Sequence, residues 1–309
     1  YAEAYEKKGS KAVVKEMNKV CMFNNRTGAY IIINGDYYYV YSKSQATDYF
    51  ACKTYFNDSD KPINPFMTWY SSDLRRNVND IDYDPTYTMK NIYNLWKGYK
   101  ITHDDCIDFE NAEEESRPFF DHIKNIWCKG DEEQYTYVVM RLALILQKPW
   151  ITAGANIVVQ GEQGCGKSTI LGLFGKILGK SAYLSTANTE YIFGQFNGMI
   201  EGKALIVLEE AFFAGDKRLI NLIKDFTTSE TTQVNRKNKE PYSISKFSDI
   251  FVFTNEEWIF PATPGCRSGS VCSAIINMLE FRHQRKRNIS IKFTQSIRLR
   301  LLKYCMKSI

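Results

Sequence analysis

Residues 158–169 read VVQGEQGCGKST, and from Gly161 to Ser168 they follow the pattern G-x-x-x-x-G-K-S. Asn156–Val159 just before reads as a short buried strand, and STILGLFGKILG just after reads as a helix closed by Gly179. A strand, a glycine loop and a helix in that order suit a triphosphate. Gly161, Gly164 and Gly166 let the backbone turn tightly and aim N–H groups at phosphate, and the helix adds the positive end of its dipole. Lys167 is expected to reach the β- and γ-phosphates, and the Ser168 hydroxyl to hold Mg²⁺. Glu162, Gln163, Cys165 and Thr169 complete the nucleotide-binding loop; Cys165 occupies a variable position and reads as filler, with a redox switch as the alternative.

Two further strands follow downstream. Ala204–Leu208 is apolar and runs into Glu209-Glu210, and Asp249–Phe253 runs into Thr254-Asn255. Helices fit between, notably Lys217–Phe226. Alternating strands and helices predict an α/β fold, a parallel sheet between helical layers with its chemistry at the C-terminal strand ends. Two adjacent carboxylates there divide the labour of ATP hydrolysis. Glu209 is expected to bind Mg²⁺, directly or through water, and Glu210 to polarise the attacking water. Such a pair argues against a small-molecule kinase, which must not spend ATP on water. Asn255 is expected to orient that water and sense the γ-phosphate. Between these strands, TTQV and YSIS read as a hairpin whose tip carries Arg236, Lys237 and Lys239; it suits a phosphate backbone, a solvated turn being the bland alternative.

The rest of the chain sets the frame. Its 309 residues are 44% hydrophobic and 24% charged, ordinary globular values. No apolar run is long enough to span a bilayer, because Arg141 interrupts the best candidate, YVVMRLALIL. Eight scattered cysteines without C-x-x-C pairing suggest reduced thiols in an intracellular setting rather than secretion. The chain opens at Tyr1 without a Met or a signal-like segment, as expected of a fragment. Residues 1–112 are rich in aromatics and predict an α+β region, with a hairpin around Asn34-Gly35 and a loop-like stretch from Asp73 to Tyr99. Residues 113–150 show helical spacing from Pro118 to Leu146, ended by Lys148-Pro149, and residues 151–262 carry the P-loop core. From Thr263 the chain holds ten Lys or Arg and one acid, a net +9 against +5 for the whole, so the preceding residues are net −4. His103, His122 and His283 read as structural or surface residues, and Asp104-Asp105 as a solvated turn.

A P-loop, an acidic strand end, a basic hairpin and a strand ending in Asn, in order within about 100 residues, resemble superfamily 3 helicases, compact AAA+-like ATPases of viruses and mobile elements. The detail looks closest to the helicase part of poxvirus- and phage-type primase-helicases. Tyr93–Tyr99 (YNLWKGY) resembles their N-L-W-x-G-F-type signature, the helix from Asp131 to Pro149 their pre-ATPase segment, and Phe196-Asn197, Glu201-Gly-Lys203 and Asn235–Lys237 match in order. The resemblance covers roughly residues 15–262. It implies a homo-hexamer around single-stranded or forked DNA, ATP hydrolysis with Mg²⁺ at subunit interfaces, an upstream primase domain or other replication partners, and no membrane. Lys167, Glu210 and Asn255 would then be catalytic, Ser168 and Glu209 would serve the metal, and Lys237 and Lys239 would grip DNA.

Two departures stand out. Glu209 occupies a position where Asp is commoner. After Pro261-Ala262 the family pattern stops, and Arg267 is the one candidate for an arginine acting across a subunit boundary. The tail from 263 to 309 is either out of frame or a divergent tail that binds nucleic acid electrostatically. Rival readings are a P-loop ATPase that packages DNA or remodels protein without unwinding, and a decayed copy that still binds nucleotide or DNA.

Overall fold

In the computed structural model the described residues are 1–35, 37–102, 112–161, 166–209, 217–237, 240–255 and 274–277, with Ile297 and Leu301. They form two compact units, Tyr1–Asp82 with Tyr87–Asn94, and Tyr83–Thr86 with Leu95–Ile309.

The first unit is α+β. In chain order it contains α1 (Ala2–Val20), β1 (Cys21–Asn24), β2 (Tyr30–Asn34), β3 (Tyr37–Tyr41), α2 (Lys43–Tyr49), the pair β4 (Tyr55–Phe56) and β5 (Pro62–Ile63), α3 (Pro65–Tyr70), β6 (Asn77–Val78), and the pair β7 (Asp80–Asp82) and β8 (Ile92–Asn94). A sheet in the order β3-β2-β1-β6 packs its apolar face on the helices, burying Val13, Met17, Ile32, Phe50, Phe66 and Trp69. The hairpin forms where the turn signal sits: Asn34 pairs with Tyr37, and Gly35 takes φ +60°. The stretch from Asp73 onward is not all loop, since it holds β6, β7 and β8. Strands of two or three residues are too short to show the period-2 alternation by which a strand is read.

The second unit carries α4 (Ala112–His122), a π-helical turn (Ile123–Trp127), α5 (Glu132–Gln147), β9 (Ile157–Gln160), α6 (Lys167–Leu178), β10 (Tyr183–Thr186), α7 (Glu190–Phe193), β11 (Leu205–Leu208), α8 (Lys217–Thr228), the hairpin β12 (Thr231–Val234) and β13 (Tyr242–Ser245), β14 (Asp249–Thr254) and β15 (Ala274–Asn277). The strands align as β10-β11-β14-β9-β15, every neighbouring pair parallel. β14 is buried at all six positions. Its middle residues Ile250–Phe253 are apolar at every position rather than at alternate ones, as a parallel strand covered by helices on both faces requires, and the polar Asp249 and Thr254 stand at its ends.

Alternation sorts those side chains into two layers. Ile157, Val159, Leu205, Val207, Phe251 and Phe253 join the core beneath α4, α5 and α6, where Ile297 and Leu301 are also buried. Val158, Ile206, Leu208, Ile250 and Val252 face α7 and α8, meeting Ile220, Ile223 and Phe226. The result is the expected α/β sheet between helical layers, alongside a small α+β unit. The YNLWKGY stretch contributes to the first of these cores. Trp96 packs edge-on against Tyr83 and Tyr99, and the Tyr99 hydroxyl donates to the Ile145 carbonyl at 2.5 Å.

Arg141, which interrupts the apolar run of α5, is only 4% exposed. Its guanidinium donates to Asp249 at 2.7 Å and to the Ala155 carbonyl at 2.9 Å, so α5 is tied to the first residue of β14. Burial raises the Asp249 pKa and Arg141 opposes the rise. Arg141→Met should therefore destabilise the chain by about 3–5 kcal/mol in chemical denaturation, because it strands a buried carboxylate.

Lys246 behaves differently. Its Nζ is buried without a hydrogen-bond partner among the described residues and lies 4.8 Å from the centre of the Phe226 ring. Burial pushes its pKa down from 10.5 to about 8, with Asp249 opposing. Between those two values the unfolded chain binds the proton and the folded chain does not, so this contribution to stability rises with pH across that window. Lys246→Met should stabilise the chain by about 1 kcal/mol or more at pH 7, and its advantage over the wild type should shrink by pH 10.

Candidate functional site

The parallel register places three strand ends side by side: Val252 pairs with Leu208 and with Val158, and Thr254 with Gln160. The next residues outward are Glu209, Asn255 and Gly161. Backbone bonds continue the ladder to this edge, from Gly161 N–H to the Thr254 carbonyl at 3.2 Å and from Glu209 N–H to the Thr186 carbonyl at 2.9 Å. Parallel strands point their carboxyl ends the same way, so residues from distant parts of the chain meet at one rim.

Lys167, the first residue of α6, is 8% exposed and turns its ammonium across this rim. Its Nζ donates to the Gly161 carbonyl and, at 2.5 Å, to Asn255 Oδ1. The Ser168 hydroxyl donates to Glu209 Oε2 at 2.5 Å, and the Ser185 hydroxyl of β10 to Oε1 at 2.8 Å. The structure thus brings together Gly161, Gly166, Lys167, Ser168, Thr169, Glu209 and Asn255. Glu162, Gln163, Gly164, Cys165, Glu210, Lys239 and Arg267 lie outside the described residues, as do His103, His283 and Asp104-Asp105. Ser168 and Glu209 present only oxygen donors, which suits Mg²⁺, an ion that usually completes its shell with water and substrate phosphates.

The hairpin forms with Thr231 opposite Ser245 and Val234 opposite Tyr242. Its tip is anchored. The Asn197 amide donates to the Gln233 carbonyl and accepts from Asn235 N–H, both at 2.8 Å. The Arg236 guanidinium forms an ion pair with Glu201, whose side chain is 5% exposed, and the Tyr242 hydroxyl donates to the same carboxylate. Arg236 is engaged within the chain, whereas Lys237 is exposed. These contacts give a physical role to Asn197 and Glu201, which sequence reading marks only by their order.

Sequence reasoning reads His122 only as a structural or surface residue and does not mark Ser185. Ser185 is an unremarkable strand residue that matters only because β10 lies beside β11. His122 ends α4, 44 positions before Gly166 in the chain, yet its ring lies against that glycine. No motif or spacing announces either one.

Comparison with known proteins agrees with this architecture. An apo structure of the C-terminal region of NrS-1 superposes on 96% of this chain and 68% of its own length, with a TM-score of 0.60 and 17% identity. A second apo structure of that region has a TM-score of 0.62 with the same identity and coverage. The chain has the NrS-1 C-terminal fold. At 17% identity the likeness speaks for the fold alone. In sequence, the DNA primase-polymerase of Nitratiruptor phage NrS-1 is 31% identical over 108 residues, a stretch covering 33% of this chain and 15% of that protein. Residues 159–268 match a family of unknown function, DUF5906. That match contains every residue from Gly161 to Asn255 discussed above and runs past Ala262 to include Arg267. Within this NrS-1-like fold, β15 pairs with β9 in parallel register, Ala274 opposite Ile157, so residues beyond the charge change at Thr263 add a strand to the sheet. No helix among the described residues is long and apolar enough to cross a membrane.

Gly166 has φ +88°, and a Cβ there would come within 2.8 Å of His122 Cε1. Gly166→Ala should destabilise the chain by about 1–3 kcal/mol in chemical denaturation, since both the backbone conformation and the available space favour glycine.

Proposed function

We propose that this chain is the ATP-dependent helicase part of a replication protein of a virus, phage or mobile element, of superfamily 3 type. One observation supports it most: Lys167 reaches Asn255 while Ser168 meets Glu209, so loop, acidic strand end and sensor strand end converge on one point.

In this reading the backbone of Gly161 to Gly166 and the N-terminus of α6 receive the triphosphate, and Lys167 neutralises its β- and γ-oxygens. Ser168 and Glu209 hold Mg²⁺, which when bound screens the phosphate charge. Glu210 takes a proton from the attacking water, and Asn255 orients that water and registers loss of the γ-phosphate through Lys167. Because Asn255 follows β14 directly and the hairpin precedes β14, a shift at the rim has a short path to Lys237 and Lys239. The hairpin, braced by Asn197 and Glu201, is the part that grips DNA. Subunits assemble as a homo-hexamer around single-stranded or forked DNA, with Arg267 as the arginine supplied across the interface, and an upstream primase domain as partner. Residues 151–262 are the motor, 113–150 its helical brace, 1–112 an aromatic-rich α+β region and 263–309 a basic extension.

The test is ATP turnover with and without single-stranded DNA, followed by strand displacement on a forked duplex. DNA-stimulated turnover with displacement is expected, and Lys167→Ala should cut kcat by about 10²-fold or more. Turnover without displacement would point instead to a packaging or remodelling ATPase. Turnover unaffected by Lys167→Ala would refute the site.

A further inference from the structure

The His122 ring lies against the last glycine of the loop. A Cβ on Gly166 would stand 2.8 Å from Cε1 and 3.1 Å from Nε2, so the ring fills the space that a side chain at 166 would need. Nε2 is buried and has no hydrogen-bond partner among the described residues. A buried polar nitrogen is rarely left without one, and each exception calls for an explanation. Burial lowers the pKa of the imidazole, with the nearby Gly166 backbone opposing, which favours the neutral ring with one donor and one acceptor nitrogen.

His122 also sits at a structural break. It is the last residue of α4, where the helix passes into the π-turn Ile123–Trp127. Single π-turns within helices are uncommon and are frequently found at functional sites. At the far end of that turn, Trp127 packs edge-on against Phe253 at 5.8 Å, two residues before Asn255. One short segment therefore touches both the loop and the sensor strand.

We propose that His122 is a positioning residue of the nucleotide site: its ring wedges Gly166 into the left-handed conformation, and its Nε2 forms a hydrogen bond with the Gly166 backbone once nucleotide is bound. This rests on the nucleotide-binding reading above. A steric wedge alone would be served as well by Phe or Leu, whereas the hydrogen bond requires a polar atom at that reach, which Gln supplies.

The full chain and its variants are titrated with a fluorescent ATP analogue and Mg²⁺, and steady-state ATP turnover is measured alongside. Relative to wild type, His122→Phe should weaken binding and raise KM by about ten-fold with a much smaller change in kcat, while His122→Gln stays within about three-fold. His122→Leu replaces the Phe variant if that chain does not fold. Wild-type binding that is lost in Lys167→Ala supports the nucleotide site independently. If wild type binds and the Phe or Leu variant binds as tightly, the inference fails while the site stands. A Gln variant as weak as Phe overturns it equally. A wild-type chain that binds no analogue overturns both.

Discussion

The candidate site depends on the double pairing of β14. Asp249–Thr254 is hydrogen-bonded in parallel to β9 on one side and β11 on the other, which puts Asn255 between the glycine loop and Glu209. Four buried apolar residues in succession, Ile250–Phe253, keep the strand in place, because exchanging any of them for a polar one would bury an unpaired group.

Polar contacts then tie this sheet to its surroundings. Arg141 and Asp249 join α5 to the start of β14 through a buried ion pair, whose desolvation is offset by the further bond to the Ala155 carbonyl. Such a pair fixes which way α5 lies on the sheet, since an apolar contact has no comparable direction. Asn197 and Glu201 act similarly at the hairpin, making it a braced projection. Both anchors reach the strand that precedes Asn255, the ion pair at the start of β14 directly and the hairpin brace through the short link from Ser245 to Asp249.

Much of this was legible in the residues. The strand and helix that flank the P-loop, Ala204–Leu208, Asp249–Phe253 and the TTQV–YSIS hairpin all appear where hydrophobic runs and turn residues indicate, because apolar runs and turn residues act locally. β10 was missed because its four residues, YLST, are half polar and lie at the edge of the sheet against β11 alone. β15 escaped the reading because it holds only three apolar residues, Ala274, Ile275 and Ile276, in a tail that reads as basic. The paired side chains of the site were legible only as candidates: nothing in spacing says that Lys167 meets Asn255, 88 positions away, rather than Glu209.

The sequence by itself carries the proposed chemistry, since glycines, a lysine, a hydroxyl and carboxylates in that order suit a metal-bound triphosphate. It also determined the fold class, through the alternation of buried strands with amphipathic helices. Tertiary structure decided which of these groups touch. Strand order is set by how twisted strands and their crossover helices pack, a property of the whole sheet that no local window contains. The same packing decided that Arg236 turns inward to Glu201 and that His122, silent in the sequence, lies against Gly166.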